Sequence, residues 1–170
     1  QPGGNSLEAT QAEPPAAEKE TTWHYQGGQP FMVDLMSGPK YPLAKGFEMA
    51  GWRIFAVDWV FGEGHDLSKP EDQESIRKKL KNADFIWAAL DCSDKSRIRE
   101  IPRQHANGKA MPGPLRNEEF PMGLPGLQGH DKERVASSNA AAEFILGELR
   151  LHQSKGGASG RENPENSLHW

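Results

Sequence analysis

The sequence has a single cysteine, Cys92, in 170 residues, which excludes an internal disulfide and favours a reducing compartment. No apolar run approaches the roughly 18 residues needed to span a bilayer, and no basic segment followed by a hydrophobic one opens the chain, so a soluble protein without a membrane span is expected. The six histidines are too far apart for local zinc spacing, and with no second cysteine no metal site is expected. A Gly-x-x-x-x-Gly-Lys phosphate loop is also missing. A strong charge of either sign is missing as well. The net charge is −4, and Glu8, Glu13, Glu18 and Glu20 against Lys19 place most of it in the first 20 residues. The remainder is nearly neutral, so any contact with nucleic acid has to come from a local basic patch.

What is present is one domain's worth of chain. A 35% hydrophobic content supports a single core, and 18 glycines with 13 prolines predict much loop. Residues 1–28 read as a disordered or extended tail, because Leu7 is the one large apolar residue before Trp23 and too little surface is available to offset the entropy of ordering. The chain starts at Gln, as a fragment, an expression product or a processed precursor would. Residues 29–170 form the expected domain.

Within it, Phe31–Met36 is a short apolar run bounded by Pro30 and by Ser37-Gly38-Pro39, the pattern of a strand ending in a tight turn. Leu43, Ala44, Phe47 and Ala50 recur at helical spacing between Pro42 and Gly51. Arg53–Val60 returns to strand character, with Asp58 near its carboxyl end. Ser68 precedes a charged stretch through Asn82 that is expected to be a helix, with Pro70 in its first turn and Ile76 and Leu80 on one face. Asp84–Leu90 is apolar on both faces, as a central parallel strand is. Residues 91–130 show neither period and form a long loop, and Asp131–Gln153 restores a helix. A short last strand is expected within 156–164 despite its glycines. Strands alternating with helices predict an α/β domain of Rossmann-like type, a mostly parallel sheet with helices on both faces.

In such sheets ligands bind beyond the carboxyl ends of the strands. Ser37-Gly38 follows the first strand, Asp58 and Asp66 follow the second, and Cys92 follows the third. Read alone, Asp58 and Asp66 fit turn acids as well as ligands, and Cys92 fits a packed thiol as well as a nucleophile. Lys95, Arg97, Arg99 and Arg103 make a basic patch in the long loop, suited to a phosphate backbone or partner, or else a solvated loop whose arginines cap helices or pair with Glu118 and Glu119.

The stretch Gly46-Phe47-Glu48-Met49-Ala50-Gly51-Trp52 resembles the Gly-Leu-Glu-x-Ala-Gly-Trp helix end of cytosine-carbon-5 DNA methyltransferases. Further landmarks agree in order: Ser37-Gly38 ahead of this helix, then Asp58, Asp66, Cys92 and Glu162-Asn163-Pro164 after it. Cys92-Ser93, Pro114-Leu115-Arg116, Gly123-Leu124-Pro125 and the closing Glu162 to Trp170 resemble a divergent group of methyltransferase-like proteins. The resemblance implies a Rossmann-like methyltransferase fold binding S-adenosylmethionine. In it Ser37 and Gly38 open the cofactor site, Asp58 holds the ribose hydroxyls and Asp66 meets the adenine amino group. It further implies Cys92 as the nucleophile that adds to carbon 6 of cytosine and Glu162 as the acid at ring nitrogen 3.

The sequence departs from the family at three places. Pro39 and Pro42 remove amide donors from the cofactor turn, Asp91 beside Cys92 raises the thiol pKa, and about 70 residues separate Cys92 from Glu162. No target-recognition region precedes the end at Trp170. The alternative is therefore a catalytically inactive protein of this fold, acting as a binding or structural subunit of a larger assembly.

Overall fold

The computed structural model describes residues 28–91, 93–95, 101, 104–105, 107–110 and 112–163. The expected tail up to residue 27, together with Cys92, Arg97, Arg99, Arg103 and segment 164–170, lies outside them.

Four strands, β1 (Phe31–Leu35), β2 (Arg53–Val57), β3 (Phe85–Ala89) and β4 (Ala158–Glu162), form one parallel sheet in the order β2-β1-β3-β4. Helix α1 (Pro42–Met49) joins β1 to β2, α2 (Pro70–Leu80) joins β2 to β3, and α3 (Gly129–Ser154) precedes β4. The chain steps outward from β1 to β2, then returns across β1 to β3 and on to β4. The direction of winding thus reverses between β1 and β3, which makes the carboxyl ends of those two strands the switch point of a Rossmann-like α/β sheet.

Alternation along the strands decides which helix covers which face. Val33, Leu35, Val57, Ile86 and Ala88 point to one side and pack with Ile76 and Leu80 of α2 and with Phe144, Ile145 and Leu149 of α3. The opposite side carries Met32, Asp34, Phe85 and Trp87, and α1 lies there with Phe47 stacked on Phe85 at 5.5 Å. β1 is buried at every position because it has strands on both edges and helices on both faces.

Local chemistry shifts one expected boundary. β2 ends at Val57, before the expected Val60, because the Asp58 side chain accepts the Val60 N–H at 3.1 Å and turns Trp59–Phe61 into a single 3-10 turn. α2 begins at Pro70, in the first turn as expected, and Ser68 ahead of it donates both its amide and its hydroxyl to Asp66 Oδ1, a local turn before the helix.

The described part of the long loop is held by one arginine. Arg116 is 1% exposed and uses all of its N–H donors: two on Asp94 Oδ2, and the others on the carbonyls of Pro121 and Val135 and on Asn139 Oδ1. The Leu124 N–H donates to Leu115 O, closing the Pro-Leu-Arg segment onto the Gly-Leu-Pro segment. Gly123 sits against α3, where an added Cβ would lie 2.7 Å from Val135 Cγ1.

Candidate functional site

A cavity of about 610 Å3 opens at the switch point. Its rim takes Met36 from the tip of β1, and Leu90 and Asp91 from the tip of β3. The connection after β2 supplies Asp58, Trp59 and residues 65–68, and the first half of α3 forms the facing wall with His130, Arg134, Ser137 and Ser138. The volume suits a nucleoside-sized ligand, and the lining mixes a few polar groups with Leu67, Ala141 and Ala142, as small-molecule sites do.

Asp58 is buried, at 7% exposure, yet it reaches the cavity. Its Oδ2 accepts the Gly38 N–H at 2.9 Å and its Oδ1 accepts the Val60 N–H at 3.1 Å. Each carboxylate oxygen has lone pairs to spare, so the group can take two hydroxyl donors while the backbone holds it still. Trp59, 68% exposed, stands beside it at the mouth.

Asp66 is oriented by Ser68, whose amide and hydroxyl donate to Oδ1 at 3.0 and 2.7 Å, with Lys69 at 3.7 Å from Oδ2. Burial opposes ionisation, but the Ser68 hydrogen bonds and the Lys69 charge outweigh it and hold the carboxyl below its ordinary value. His65, packed between Phe55 and Phe61, presents a buried Nδ1 that has no hydrogen-bond partner among the described residues.

The expected cofactor residues thus divide. Asp58 and Asp66 share the cavity. Gly38 touches it only through Asp58, and Ser37 turns away, with its amide on Val57 O and its hydroxyl near its neighbour's carbonyl. Glu162 is exposed at the end of edge strand β4, beside Ala89 in register, and is not part of the cavity wall.

Lys95 corrects the expectation of a surface patch: it is 2% exposed and cannot meet a phosphate backbone. Its ammonium lies against Ser138 Oγ and 3.5 Å from Asp94 Oδ1, while Ser138 also donates to Asp94 Oδ1 at 3.1 Å. Burial lowers the Lys95 pKa despite Asp94. The Asp94 carboxyl resists the same burial and stays below its ordinary value, because Arg116 hydrogen-bonds to it and both cations attract it.

Two features escape sequence reading. The α3 wall is one, since its polar positions fall between the apolar ones that define the helix. The other is Asp34, 2% exposed in the middle of β1. Burial raises its pKa to about 6, against the Ala44 N–H that favours the anion, with the charges of Asp58 and Glu162 adding to the rise. A charge inside an otherwise apolar strand was the signal available for it.

Among the described residues no group of three or more His, Cys, Asp or Glu side chains is arranged to hold a metal ion, and no helix is long and apolar enough to cross a membrane. Comparison with family models, curated proteins and solved structures finds no match to the chain.

Proposed function

We propose that this domain binds S-adenosylmethionine in the cavity at the strand tips and is a methyltransferase-like domain acting on cytosine in nucleic acid, with Cys92 as nucleophile and Glu162 as its acidic partner. One observation carries the reading: Asp58 and Asp66, separately expected from the resemblance to meet the ribose and the adenine, converge on a single cavity at the switch point of the sheet. When bound, the cofactor supplies an electrophilic methyl group. Asp58 accepts hydroxyl hydrogens, Asp66 accepts an amino hydrogen, and Trp59 offers an aromatic face at the mouth. The Cys92 thiolate adds to carbon 6 of the base as a carboxylic acid gives its proton to ring nitrogen 3, opening the 5,6 double bond so that carbon 5 takes the methyl group; loss of the carbon-5 proton and departure of the thiolate then restore the ring.

Calorimetric titration of the full chain with S-adenosylmethionine tests the first half. Saturable binding is expected, weakened at least tenfold by Asp58→Ala; a flat titration of the wild type ends the proposal. Cys92→Ser is then expected to keep cofactor binding and lose methyl transfer to cytosine-containing DNA or RNA.

A second reading, a binding module without catalysis, draws on the turn after β1. There Pro39 and Pro42 have no N–H, while Ser37, Gly38 and Tyr41 spend theirs on Val57 O, Asp58 and Gly38 O. Cofactor binding with no transfer to any nucleic acid would select it.

A further inference from the structure

Among the described residues, Lys40 alone in the stretch 37–42 retains an amide N–H that the fold does not take. Asp58 and Asp66 add negative charge on the same side of the cavity. A ligand that carries a carboxylate must therefore find its counter-charge elsewhere.

The facing wall holds it. Arg134 of α3 lines the cavity, half-buried, with His130 one turn earlier on the same helix. One Arg134 N–H donates to Ser93 Oγ at 2.8 Å, and Ser93 is in turn fixed by Asp91, its hydroxyl donating at 2.9 Å and its amide at 2.8 Å. Among the described residues that is the guanidinium's one anchor; it orients the group and leaves further donors of its planar fork for an anion. Asp91 sits on the same rim as an acceptor for a cation. The β3 side of the cavity thus sets a guanidinium beside a carboxylate, the complement of an amino-acid zwitterion, while the β2 side offers hydroxyl acceptors and an indole.

We infer that Arg134 binds the carboxylate of the amino-acid portion of the ligand, with Asp91 receiving its ammonium, an assignment that rests on the S-adenosylmethionine reading above. In this geometry α3 replaces the amide donors that the proline-filled turn lacks.

The test is calorimetry on the full chain with two probes. S-adenosylmethionine carries the amino-acid portion; 5′-methylthioadenosine keeps the nucleoside and its 5′-sulfur, as a neutral thioether, and lacks it. Arg134→Gln is expected to weaken the first by about 10- to 100-fold, the range of a lost charge-assisted hydrogen bond, and to leave the second unchanged. Arg134→Lys, which keeps the charge without the fork, should recover part of the loss. Unchanged affinity for S-adenosylmethionine in Arg134→Gln, an equal loss on both probes, or no recovery with lysine overturns the assignment and leaves the cofactor reading standing. A wild-type chain that takes neither probe removes both.

Discussion

Asp58 Oδ2 accepts the Gly38 N–H at 2.9 Å, so one carboxylate joins the turn after β1 to the end of β2. The same group caps the 3-10 turn through Val60, and it faces the cavity with what acceptor capacity remains. Structure and binding therefore converge on one side chain, and a change there registers in both.

Asp58→Ala is expected to cost about 2 kcal/mol in folding free energy, the range for losing a cap and leaving a second, part-buried donor unmet. Urea denaturation measures it. Asp58→Asn keeps one acceptor oxygen and should fall between the wild type and the alanine variant.

Asp34 predicts a pH dependence of the opposite sense to an ordinary salt-bridged carboxylate. Its folded pKa, about 6, stands above the 3.8 of the unfolded chain, so the folded state holds its proton longer. Below 3.8 both states are protonated and nothing is lost; between 3.8 and about 6 stability falls as pH rises; above that the cost is constant at about 3 kcal/mol. Asp34→Asn should therefore stabilise the domain at pH 8, with the gain shrinking through pH 6 and gone below pH 4. Denaturation of the two proteins across that range checks it, and a gain independent of pH would remove burial as the cause.

Arg116→Ala is expected to destabilise the domain by about 3–5 kcal/mol, because Asp94 is left buried without its main partner. Acid should act in the same direction. The Asp94 pKa is lowered, so its contribution is present above the unfolded value of 3.8 and is lost as pH falls through the lower folded value. Thermal melts of wild type and variant, compared at neutral pH and near pH 3, should show the difference narrowing in acid.

Gly160→Ala probes the β4 side of the sheet. An added Cβ would lie 2.7 Å from Trp87 Cζ3, so the indole has to move off the strand, at about 1–3 kcal/mol. Near-ultraviolet dichroism reports the indole directly. An unchanged spectrum with unchanged stability would contradict the packing.

The regular elements were legible because each carries its own period and its own punctuation: Pro42 and Pro70 start helices, and the uniformly apolar β3 lies inside the sheet. Asp58 and Asp66 were legible for a related reason, since strand tips are where a parallel sheet presents ligands. Lys95 was not. A lysine in a loop full of arginines looks like surface, and only the fold brings it to Ser138, 43 residues away, to be buried. The glycines that weakened the expectation of β4 have a tertiary reason as well: Trp87 lies over Gly160, and no local pattern announces that.

The Arg116 guanidinium, with its donors divided among Asp94, Pro121 and the Val135 and Asn139 positions of α3, makes the described loop and α3 one cooperative unit. Asp94 cannot leave without stranding a buried charge, and Pro121 or Val135 cannot leave without stranding a guanidinium donor, so local fraying is suppressed there. The α3 wall of the cavity consequently keeps its shape through the thermal fluctuations that loosen ordinary loops, and a ligand arriving there meets a surface whose ordering cost was met during folding.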